Sequence, residues 1–163
     1  MRLRHFQVAT SLLVFSALAG CSDLFSPSAK SRLDENRDKW RAQGLSTYTF
    51  TLSQFCFCAI NGPVRVFVSN GAVINATQIS NGQALDTRFA SSIESLFDFI
   101  ERGIAKHSAV LDVTYDPARG YPVRIVSDGS KSTADDEVTY EVSDVSPIAI
   151  SSSNKTKSSR GFH

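Results

Sequence analysis

Apolar residues recur along this chain with two different periods. A helical period appears over Leu33–Gln43, where Leu33 and Trp40 share one stripe and Gly44 supplies the stop. It returns more strongly over Ser91–Lys106, where Ile93, Leu96, Phe97, Ile100 and Ile104 form a continuous apolar face. Ser91, with Glu94 three positions later, has the form of a capping box. Elsewhere the period is two. From Ser46 to Phe55, Tyr48, Phe50 and Leu52 alternate with Thr47, Thr49, Thr51 and Ser53. Val64, Val66 and Val68 alternate with Arg65 and Phe67, and Asn70-Gly71 then turns the chain into a returning strand over Ala72–Ile79. Leu111, Val113 and Tyr115 predict a further strand, and Asp116-Pro117-Ala118-Arg119-Gly120 a turn. Val123 and Ile125 predict the next strand, and Val138, Tyr140 and Val142 the last.

The pattern predicts an α+β domain of two layers, an antiparallel sheet of about six strands with one apolar face packed on two helices. Pro63–Gly71 matches Pro122–Gly129 if one residue is deleted. Duplication of a helix-plus-three-strands unit would leave that match, and so would ordinary hairpin composition. The sheet face away from the helices carries threonines, Asp112 and Glu141, together with Arg65, Phe67 and Arg124. A solvated face is its default use. Aromatics set among polar residues also make a docking surface, and Arg65, Phe67 and Arg124 are its candidate contacts.

The N-terminus belongs to neither period. Arg2, Arg4 and His5 precede an apolar run from Val8 to Leu18, too short to span a bilayer and suited to an export signal. Leu18-Ala19-Gly20-Cys21 closes it as a lipobox, in which Cys21 becomes the acylated first residue of the mature protein. Several acyl chains give stable anchoring, since each buried methylene contributes about 0.8 kcal/mol. The expected organisation is a leader over 1–20, a lipidated cysteine and tether over 21–31, the domain over 32–150 and a disordered serine-rich tail over 151–163. Ser22 favours the periplasmic face of the outer membrane. Loss of Arg2 and Arg4 with the leader takes the 17 basic residues to 15, against 16 acidic ones. A near-neutral chain argues against nucleic acid as a partner.

Acylation of Cys21 leaves Cys56 and Cys58 as the only thiols, in an oxidising compartment. In an unbroken strand their Cα atoms stand near the upper limit for a disulfide, so a bridge requires a bend after Phe55. A local structural disulfide is the favoured use; a redox-active or metal-binding pair is the alternative. Asp128–Glu137 resembles a calcium loop only superficially, because Lys131 falls inside it and Thr139 stands where a bidentate glutamate belongs. Asp135, Asp136 and Glu137 are the residues available to a cation or a basic partner. No nucleophile elbow, His-Glu-x-x-His or phosphate-binding glycine loop occurs, so no catalytic residue, resident metal or cofactor is expected. His107 follows the second helix as a partner for its dipole.

Trp40, Tyr48-Thr49-Phe50, Cys56-Phe57-Cys58, Pro63-Val64-Arg65-Val66, Leu96-Phe97-Asp98, Tyr115-Asp116, Gly120-Tyr121-Pro122 and Asp135-Asp136-Glu137 occur in that order. As a set they resemble a group of small bacterial lipoproteins that share a domain of unknown function. The resemblance implies no activity or cofactor. The expected role is a non-enzymatic binding or envelope-assembly module, held to the membrane by lipid on Cys21 and facing another envelope protein. The alternative is a thiol-disulfide or metal-handling protein centred on Cys56 and Cys58.

Overall fold

The computed structural model describes residues 27–56, 62–129 and 137–148. Cys21, Cys58, Asp135 and Asp136 lie outside the described residues, as do the leader and the tail beyond 148. Helix α1 spans Ala29–Ala42 and α2 spans Ile93–Lys106. The strands are β1 (Thr47–Phe55), β2 (Val64–Ser69), β3 (Ala72–Gln78), β4 (Ala84–Leu85), β5 (Val110–Tyr115), β6 (Pro122–Asp128) and β7 (Glu137–Pro147). They form one seven-stranded sheet in the order β4-β3-β2-β1-β7-β6-β5, with every neighbouring pair antiparallel.

The α+β class is therefore observed, with seven strands among the described residues in place of about six. The extra strand, β4, pairs only Ala84 and Leu85 with Thr77 and Ala76. Two residues are too few to show an alternating pattern. Helix α1 also starts earlier than its apolar stripe, because Ser28 caps it by accepting a hydrogen bond from the Ser31 amide at 3.1 Å. Residues 29–31, expected in the tether, are helical.

Alternation sorts the sheet into two faces. Tyr48, Phe50, Val66, Val68 and Ile125 are fully buried, in one core cluster with Leu33 and Trp40 of α1 and Ile93, Leu96, Phe97 and Ile100 of α2. Burying each large side chain contributes about 1.5–3 kcal/mol. The Asn70-Gly71 turn forms as expected, with φ of 51° and 76°.

The Asp116–Gly120 turn seats the sheet against α1. The Asp116 carboxylate accepts from the amides of Ala118 at 3.0 Å and Arg119 at 2.7 Å. Gly120 has φ of 80°, and a Cβ there would stand 2.3 Å from the Asn36 carbonyl oxygen. Only glycine permits that approach. Tyr121 next meets Trp40 edge-on, with ring centroids 6.0 Å apart.

Candidate functional site

Three places concentrate the side chains with chemistry to offer. The first is the sheet face opposite the helices. Strand pairing sets Thr77, Arg65, Thr51 and Ser143 in one row and Thr114, Arg124, Glu141 and Ser53 in another. Phe67 lies beside Thr49 and Asn75 on the same face. Arg65, Arg124, Asp112 and Glu141 are exposed, and Phe67 is half-buried. Phe55, at the end of β1, is 56% exposed, well beyond what a core aromatic shows. Arg65 and Arg124 are not neighbours: β1 and β7 lie between them, three strand spacings or roughly 14 Å. Arg124 stands 3.6 Å from Glu141, both half-exposed, a pair worth little in water.

Asp144 gives this face a fixed negative centre. It adopts φ of 53°, and the β1–β7 register shifts between Thr49 and Thr51. Asp tolerates this left-handed geometry better than most residues. Hydrogen bonds from Thr51 Oγ1 at 2.9 Å and Ser143 Oγ at 3.1 Å hold the carboxylate. They lower its pKa below the ordinary aspartate value, with the Arg65 charge adding to the effect.

The second place is the end of the sheet at Cys56. The strand ends at Phe55 and the chain bends at Cys56, while Cys58 lies outside the described residues. A pocket of about 410 Å³ opens there, lined by Phe55, Cys56, Val110, Asp128 and Glu137. Glu137 begins β7 opposite Asp128. The chain thus places two of the candidate groups, Cys56 and Glu137, around one cavity. Gln54 Nε2 lies 3.1 Å from Cys56 Sγ. Among the described residues, no group of three His, Cys, Asp or Glu side chains is placed to hold a metal ion.

The third place was not legible as a site. Glu94 was expected to close a capping box with Ser91. The cap is instead Ser92, whose side chain accepts from the Ser95 amide at 3.2 Å. Glu94 turns away and receives Trp40 Nε1 at 2.9 Å and the Tyr48 hydroxyl at 2.6 Å. The same hydroxyl accepts from the Ile93 amide at 3.2 Å, so the network ties α1 and β1 to the first turn of α2. Burial, then Glu94, pushes the Tyr48 phenol far above its usual pKa. Beside the network is a pocket of about 350 Å³, lined by Arg37, Trp40, Arg41, Leu45, Glu94 and Phe97. Arg37 and Arg41 lie one turn apart on α1, and both border this cavity.

His107 caps α2 in the left-handed conformation, its amide bonding to the carbonyls of Gly103 and Ile104. No described helix is long and apolar enough to cross a membrane. A family of unknown function (DUF6174) matches residues 32–147, and the chain belongs to it. No curated protein and no solved structure matches.

Proposed function

We propose that this member of the DUF6174 family is a lipid-anchored, non-enzymatic binding or envelope-assembly module. The observation that carries the reading is the open sheet face. Two helices cover one side of seven strands, while the other presents Phe55, Phe67, Arg65 and Arg124 among threonines and carboxylates. Apolar area rimmed by polar groups is the composition of a protein-binding surface. The lipobox ending at Cys21 supports a lipid anchor, and Ser22 supports the periplasmic face of the outer membrane. The partner is another envelope protein. In this reading Cys56 and Cys58 form a local disulfide, supported by the bend after Phe55.

Descent of the two halves from one helix-plus-three-strands unit belongs to the same reading. Val66 and Ile125, aligned by the sequence match, are both fully buried, and Arg65 and Arg124 are both exposed.

Photo-cross-linkers at positions 65, 67 and 124, used in intact envelopes, test the surface. They are expected to trap one protein partner. Repeated failure there, while Asp38 on α1 does cross-link, would contradict it.

The pocket at Cys56 favours a second reading, a thiol-disulfide or metal-handling protein, because that residue lines an open cavity whose walls also carry Asp128 and Glu137. The reduction potential and metal content of the full chain separate the two. A bridge that resists glutathione sinks the redox reading, whereas a labile pair, or stoichiometric copper or zinc, sinks the structural one.

A further inference from the structure

We propose that the pocket between the end of α1 and the start of α2 binds a small amine, its ammonium group on Glu94 and its apolar body against Trp40, Leu45 and Phe97. This site is separate from the sheet face and rests on different residues.

The charge pattern selects the ligand class. Four charged side chains line the cavity: Arg37, Arg41, Glu94 and Asp98. Arg37 and Asp98 are already matched: Arg37 reaches Glu101 at 2.9 Å and Asp98 at 3.4 Å. Arg41 has only an exposed approach of 3.6 Å to Asp38, a pair worth little in water. Glu94 has no Lys, Arg or His nitrogen within 4.0 Å among the described residues. Its two hydrogen bonds come from neutral donors, Trp40 and Tyr48. They fix the carboxylate in place but leave it without a cationic side-chain partner, and its oxygens retain lone pairs for further donors.

The walls supply the rest. Trp40 and Phe97 are 4% and 1% exposed, so they form a rigid lining rather than mobile surface groups. The Phe97 ring already carries the Arg37 guanidinium, 5.7 Å from its centroid, and Trp40 meets Glu94 through its ring edge, so the rings offer a ligand apolar contact and the carboxylate alone supplies the charge. A volume of about 350 Å³ falls within the range of small-molecule sites.

Trp40 is the one tryptophan of the chain, and it lines the pocket, so its fluorescence reports binding directly. The full chain in detergent is titrated with phenethylamine, with neutral 2-phenylethanol and with anionic phenylacetate. The expected result is a saturable change with the amine, at least about tenfold tighter than with the alcohol. Glu94→Gln should abolish that preference. Because Glu94 also braces the fold, Ser46→Phe serves as the second variant: it fills the exposed rim of the pocket without touching the Glu94 hydrogen bonds, and should weaken the amine at least about tenfold. Equal response to amine and alcohol, tighter binding of phenylacetate, no saturable response, or unchanged amine binding in Ser46→Phe would each overturn the proposal.

Discussion

Gly120 and Glu94 show how far single residues can be read from a sequence. The glycine announced a turn, and the turn is there. Its closer constraint, the contact with Asn36, depends on a helix some eighty positions earlier in the chain. Gly120→Ala combines left-handed strain with a backbone clash and should cost about 2–4 kcal/mol, measured by urea denaturation. Glu94 was misread because Ser-x-x-Glu spacing is a local signal, whereas its partners lie 54 and 46 positions away. Tyr48→Phe deprives Glu94 of one donor and the Ile93 amide of its acceptor, an expected loss of about 1–3 kcal/mol. The tyrosines also set the alkaline limit. Burial raises Tyr48 and lifts Tyr115 to about 12, so the folded state holds protons that the unfolded chain releases near pH 10. Their stabilisation is complete below pH 10 and declines as pH rises through the folded values. Denaturation midpoints should fall above pH 10, and Tyr115→Phe should flatten part of that fall.

At the scale of elements, both long helices and the alternating strands were legible because each buries one face against the core. Their ends were not. Helix α1 begins on Ser28, ahead of its first core contact at Leu33. Strand β7 was expected over Val138–Val142, yet it runs to Pro147. The bulge at Asp144 resets the alternation, so Val145 faces the core out of phase with Val142 and the sequence pattern stops early. One element-level device has a testable consequence. Among the described residues strand β5 is a sheet edge with β6 as its single neighbour, and Arg32 Nη2 of α1 donates to the Val113 carbonyl at 2.9 Å. This occupies a group that would otherwise invite another strand. Arg32→Ala should cost about 1.5–3 kcal/mol and promote self-association, read by sedimentation as concentration rises.

For the whole molecule, the composition of the faces was legible and the strand order was not. Arg65, Phe67 and Arg124 were placed on one polar face, and pairing sets them there. The joining of β1 to β7 links the two ends of the folded chain, and no local pattern encodes such a pairing. That joint makes one broad surface out of two hairpin systems, and the proposed function depends on it. Hydroxyl-radical footprinting measures its use directly, by comparing the chain in intact envelopes with the purified chain in detergent. Docking predicts that Phe55 and Phe67 are protected in the envelope, while Phe89, exposed on the turn between β4 and α2, is labelled equally in both. Equal labelling of Phe55 and Phe67 in envelope and detergent would contradict it.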